Sequence, residues 1–114
     1  MTPIIAGRFE QEAQAKAAVA ALCRGGFDAD DVTVFSVDPP AQHSTYPIGG
    51  IFVAVRALEF ARRVAAVNAL RAKGARDIER ADGTWQAGQW IDFDPLRPPL
   101  LVDLPAPEDV KLRK

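Results

Sequence analysis

One cysteine and one histidine are all that the 114 residues contain of either type. Cys23 can close no internal disulfide, and with only His43 to accompany it no zinc-type cysteine/histidine spacing exists. Disulfide scaffolds and zinc modules are thereby excluded, no metal or cofactor is expected, and a reducing cytoplasm fits best. Charge of one sign is also missing, because 14 Lys and Arg stand against 15 Asp and Glu for a net charge of −1. No global field draws the chain toward nucleic acid or an acidic membrane, so such a partner would need a local patch. Long hydrophobic runs are absent too. The longest apolar stretch, Ile51 to Val55, is far short of the roughly 20 residues that span a bilayer, and the opening MTPIIAGRFE has no basic leader. The expectation is a soluble, intracellular chain.

What the sequence does have is 48% hydrophobic and 25% charged residues, which is material for one compact core. Two similar halves share it. Sliding residues 6–26 onto 54–74 without gaps matches Ala6/Ala54, Arg8/Arg56, Val19/Val67, Leu22/Leu70 and Gly26/Gly74, besides four further alanine pairs. Each half runs from a short apolar stretch through a helical segment ending near glycine to another extended segment. The first helix is expected over Glu10 to Arg24, with Ala15, Ala18, Val19 and Leu22 as its apolar stripe and Gly25-Gly26 as its stop. The second is expected over Leu58 to Lys73, with Phe60, Val64, Val67 and Leu70 on one side and Gly74 as a left-handed cap. Neither start carries a Ser, Thr, Asp or Asn cap, although Glu10, Glu12 and Glu59 suit the helix dipole.

Extended segments at Pro3 to Phe9, Asp31 to Asp38, Gly50 to Ala57 and Asp77 to Ala81 complete the order βαββαβ. With right-handed crossovers this order predicts an α+β, ferredoxin-like domain over residues 1–95: a four-stranded antiparallel sheet with both helices on one face. Alternation puts Ile5, Gly7, Val53 and Val55 on the helix side. Ile4, Ala6, Arg8, Phe52, Ala54 and Arg56 then share the other face, with Phe35 or Val37 from the second strand. That face is partly apolar, so a cover is expected: a second subunit, or the leucine-bearing tail, with the arginines at the rim or paired to Asp92, Asp94 or Asp103.

The stretch TWQAGQWIDF follows the turn dipeptide Asp82-Gly83 and either extends the fourth strand or folds back as a hairpin around Gly88. Its two tryptophans, Trp85 and Trp90, are read as packing residues. From residue 96 the chain is a proline-rich tail, ordered only where Leu100, Leu101 and Val102 find a surface.

Three stretches carry a resemblance: IAGRFEQEAQAKAAVAALCRGGFDADDVTVFSVDPPAQHSTYPIGG, the restart VAVRA, and GARDIERADGTWQAGQWIDFDPLRPP. Together they resemble the bacterial general-stress and heat-induced stress proteins of the YflT-like group, in particular proteobacterial members of unknown function. Many of those relatives carry a glycine-zipper-like hydrophobic insert after the equivalent of Gly49-Gly50. Here Gly50 runs directly into Ile51-Phe52-Val53, so no membrane association is carried across. The resemblance implies a stress setting and supplies no catalytic residues.

Candidate chemistry is sparse. His43 and Tyr46 lie in the loop DPPAQHSTYPIGG, where histidine can serve as base or ligand, but neighbours along an extended loop point in different directions and make no triad. Cys23, near a helix C-terminus that disfavours thiolate, is expected to be a small, partly buried side chain. Asp28, Asp30 and Asp31 fall short of a calcium loop and read as the turn that launches the second strand. Gly49-Gly50 lacks the context of a phosphate loop. The central strands do not display the aromatics that RNA-recognition motifs use, so no nucleic-acid partner is expected.

These observations lead to a stress-associated, non-catalytic interaction module that forms a homodimer through its sheet face, with Arg8, Phe52, Arg56, His43 and Tyr46 as the candidate binding or interface residues. Two alternatives remain at this level. One is a small dimeric ferredoxin-like enzyme using a cavity between sheet and helices, with His43 or Tyr46 at its mouth. The other is a peptidoglycan-binding module of the SPOR type, which shares the pseudo-repeat.

Overall fold

Two glycines at equivalent places end the two helices in the same way. In the computed structural model, which describes residues 2–37, 50–94 and 100–102, α1 spans Glu12–Arg24 and α2 spans Phe60–Ala72. Gly26 and Gly74 adopt φ of 103° and 95°, conformations that cost a side chain strain. Around Gly26, the Phe27 N–H reaches back to the Leu22 carbonyl at 3.1 Å and the Gly26 N–H to that of Cys23 at 3.1 Å. Around Gly74, the Ala75 N–H reaches Leu70 at 3.1 Å and the Gly74 N–H reaches Arg71 at 3.1 Å. Both are Schellman motifs, which satisfy carbonyls that the helix end would otherwise leave unpaired. The starts have no such device: neither Gln11 nor Glu59 makes a side-chain cap bond, and each helix begins two residues later than the apolar pattern suggests.

The strands are β1 (Thr2–Phe9), β2 (Val32–Val37), β3 (Gly50–Arg56) and β4 (Arg76–Gly83), in the sheet order β2-β3-β1-β4 with antiparallel pairing throughout. This α+β arrangement is compatible with the ferredoxin-like topology. A short 3-10 turn, Ala29–Asp31, launches β2, so Asp28 to Asp31 are turn residues.

The alternation along β1 and β3 divides the interior into two layers. On one face Ile5, Phe9, Val53 and Val55 meet Ala15, Ala18 and Leu22 of α1 and Ala66, Val67 and Leu70 of α2, all but fully buried. The buried side of α2 is thus centred on Ala66, Val67 and Leu70, and the expected Phe60 is 63% exposed. Phe60 shares the three- and four-residue spacing, but it is the first residue of the helix and projects past the edge of the sheet core. Cys23 is exposed, contrary to expectation, because it lies one residue beyond Leu22 and about 100° around the helix.

The opposite face is covered by the chain itself. β5 (Trp85–Gln86) and β6 (Gln89–Trp90) pair as a two-stranded hairpin, and Trp90 and Phe93 pack over Ile4, Ala6, Ala54 and Ala81. Gly83 makes this approach possible: a Cβ there would lie 2.4 Å from the Trp90 indole nitrogen. At the far edge, residues 100–102 run antiparallel to β4. The Arg80 N–H donates to the Leu100 carbonyl at 2.9 Å and the Val102 N–H to that of Ile78 at 2.8 Å.

Candidate functional site

Of the five residues that the sequence marks, three are described and share the expected sheet face, while His43 and Tyr46 lie outside the described residues. Phe52 is only 2% exposed. Its ring stacks on Phe35 across β2 and β3, with centroids 5.5 Å apart and planes within 6°, and Phe93 closes over it at 5.3 Å. Trp90 meets Phe93 edge to face at 4.9 Å. Such ring pairs contribute about 0.5–1.5 kcal/mol each beyond the area they bury. The apolar centre that left room for a second subunit or the leucine-bearing tail is therefore filled by the hairpin and Phe93. A partner could touch Phe52 only by displacing them.

The two arginines hold separate corners of the sheet. Arg8 binds one oxygen of Asp77 through Nε at 3.1 Å and a terminal nitrogen at 2.6 Å. Arg56 binds Asp31 through Nε at 2.8 Å and a terminal nitrogen at 2.5 Å. Both carboxylates were missed as partners, although the strand pairing contains them: with Val32 opposite Val55, Asp31 must face Arg56. With Arg8 opposite Arg76, Asp77 is the next residue along. Asp77 is about half exposed, so solvent screening reduces its pair with Arg8 to the order of 1 kcal/mol or less.

Hydrogen bonds tie the hairpin down at both ends. The Trp85 indole donates to the Asp30 carbonyl at 2.8 Å. Asp92 accepts from the Thr84 backbone N–H at 2.9 Å and from the Trp90 indole at 2.8 Å, both on one oxygen. Chiefly through the Thr84 N–H, these bonds hold the Asp92 carboxyl below its ordinary value of 3.8, against the opposing effect of desolvation. Asp92, expected as a partner for an arginine, fastens the hairpin.

No group of three His, Cys, Asp or Glu side chains gathers to hold a metal among the described residues, and no helix there is long and apolar enough to cross a membrane. Among the described residues, two of the surface grooves are mainly apolar. Phe60, Leu100 and Leu101, 63%, 69% and 55% exposed, line one groove of about 290 Å³ beside Arg63 and Arg80. A second groove, between α1 and β2, is lined by Ala15, Val19, Val34 and Ile51 with Glu12 and Lys16 above. The first was not legible as a site, since Phe60 reads as core and Leu100 and Leu101 as tail.

Comparison with protein-family models, with curated proteins and with solved structures finds no match to this chain. The likeness to YflT-like proteins rests on the quoted sequence stretches alone.

Proposed function

We propose that this chain is a non-catalytic interaction module that associates with itself as a dimer. The observation that carries the reading is the gathering of Phe60, Leu100 and Leu101 in one groove while the apolar centre of the second sheet face is occupied by the chain's own hairpin. Apolar side chains of this size, contiguous and rimmed by Arg63 and Arg80, mark a contact surface rather than an ordinary scatter of exposed hydrophobics. We therefore propose the edge of the sheet, where α2 and the tail segment meet, as the association surface; the covered centre over Phe52 supports this choice.

Catalysis finds less support. The layer between sheet and helices, where a small enzyme of this topology would need its cavity, is packed with side chains of zero or near-zero exposure. The cytoplasmic setting and the stress role belong to the same proposal: the first follows from the sparse cysteine and the second from the YflT-like resemblance. A rise in the protein's abundance after a heat shift is the expected result, and unchanged abundance would remove the stress role.

Light scattering across a dilution series tests the module directly. The chain is expected to weigh twice its 12.3 kDa at high concentration and to dissociate on dilution. Phe60→Glu is expected to leave a folded monomer at every concentration. A wild-type monomer throughout would overturn the proposal.

A further inference from the structure

We infer that the groove between α2 and residues 100–102 docks a segment of another protein in which carboxylates flank apolar side chains, in competition with the second copy. The inference rests on the reading of this groove as a contact surface and adds a partner to it. Charge singles the groove out. Phe60, Leu100 and Leu101 form its apolar part and Arg63 and Arg80 its charged part, with no Asp or Glu in the lining. The groove between α1 and β2 carries Glu12 beside Lys16, and one at the start of α2 sets Asp31 and Glu59 against Arg56 and Arg62. Both of those are balanced, whereas this one is cationic on a chain whose net charge is −1. It is the local patch that an acidic partner needs.

The two guanidinium groups are available in different ways. Arg63 donates through one Nη to the carbonyls of Ala57 at 3.2 Å and Leu58 at 3.0 Å, which fixes the group at the start of α2 with N–H groups to spare. Arg80 is exposed, and its side chain has no hydrogen-bond or ion-pair partner among the described residues. A planar guanidinium takes a carboxylate through two parallel N–H bonds, so carboxylates on the partner meet the geometry as well as the sign. The apolar part sets the rest of the partner. Phe60, Leu100 and Leu101 are each more than half exposed, and only apolar side chains on the partner gain by covering them.

A second copy satisfies only half of this. In a twofold contact the same surface lies on both sides, so the charged lining groups of one copy meet only those of the other, and all of them are arginines. Contact between copies therefore covers the phenylalanine and the leucines but opposes like charges, which costs affinity. A segment with carboxylates flanking apolar side chains covers the same surface and neutralises its rim. Self-association is thus the weaker occupation of the groove, and the acidic segment displaces it.

Fluorescence anisotropy of two labelled synthetic peptides with the full chain tests this. One peptide alternates leucine pairs with single aspartates, and the other has lysine in place of every aspartate. At low salt, where surface charges are least screened, the aspartate peptide is expected to bind about tenfold more tightly than the lysine peptide. Arg80→Glu, at an exposed position, is expected to erase or reverse that preference, and Phe60→Ala to weaken the aspartate peptide several-fold. Light scattering is then expected to show the aspartate peptide converting the dimer to peptide-bound single copies. Equal affinity for the two peptides, or an unchanged preference in Arg80→Glu, would overturn the acidic partner while a dimeric mass left self-association standing. A single-stranded oligonucleotide that binds as tightly as the aspartate peptide and is unaffected by Phe60→Ala would also overturn it, by showing a cationic patch in which the apolar side chains play no part. A monomeric chain that still prefers the aspartate peptide would overturn self-association alone, and a monomeric chain that binds neither peptide would overturn both.

Discussion

Gly83 and Asp92 show how much of the second layer depends on single atoms. Replacing Gly83 by alanine would put a methyl group 2.4 Å from the Trp90 indole nitrogen and 2.9 Å from an Asp92 oxygen, and neither is free to retreat, since they bond to each other. Gly83→Ala is expected to destabilise the fold by about 1–3 kcal/mol, the usual cost of overpacking, as measured by urea unfolding. Wild-type stability in that variant would show that the hairpin is not anchored as described. Asp92 contributes through its charge. Because its folded pKa lies below 3.8, its contribution is fully present above that value and disappears as pH falls through the folded pKa. Tryptophan fluorescence is therefore expected to report loosening of the hairpin on acidification below about pH 4, with a shallower acid-side loss in Asp92→Asn. Equal acid-side slopes in both proteins would contradict this assignment.

At the scale of elements, the repeat supplies its own control experiment. Gly26 and Gly74 occupy the same position in the same motif, but a Cβ at Gly26 meets nothing closer than an arginine nitrogen at 3.6 Å, whereas one at Gly74 comes within 2.8 Å of the Gln14 amide. Gly26→Ala thus isolates the left-handed backbone and is expected to cost about 1–2 kcal/mol. Gly74→Ala should cost at least that, with little more if the Gln14 amide swings away, and thermal unfolding of the two variants checks both. The element order and the two sheet faces were legible in the sequence because both depend on short-range periodicity. Ile5 and Val53 on one side, and Ile4 and Phe52 on the other, follow from alternation alone. The rotation of α2 was not, because Phe60 fits the apolar spacing and only its position at the helix start exposes it. The hairpin was legible as one of two options, but its seat was not. Trp90 and Phe93 contact Phe35 and Phe52, which lie far away in the chain, and no local pattern encodes such a contact. The arginines were recognised as a pair, whereas their carboxylates become visible only once strand register is known.

At the scale of the whole molecule, the described residues form three layers: helices, sheet, and a hairpin that takes the place left for a second subunit or the tail. A chain that fills its own sheet face must associate, if it associates, by some other surface, and among the described residues the edge where α2 meets residues 100–102 gathers the large exposed apolar side chains Phe60, Leu100 and Leu101. The most direct test compares Phe52→Glu with Phe60→Glu by solution mass and thermal unfolding in the same buffer. Phe52→Glu buries a charge between Phe35 and Phe93, so it is expected to lower the melting temperature sharply, by several kcal/mol of stability. Phe60→Glu is expected to leave melting of the isolated chain nearly unchanged and to abolish the dimer. The reverse pattern, a stable Phe52→Glu monomer and a Phe60→Glu chain that still dimerises, would return the interface to the sheet face and contradict the account.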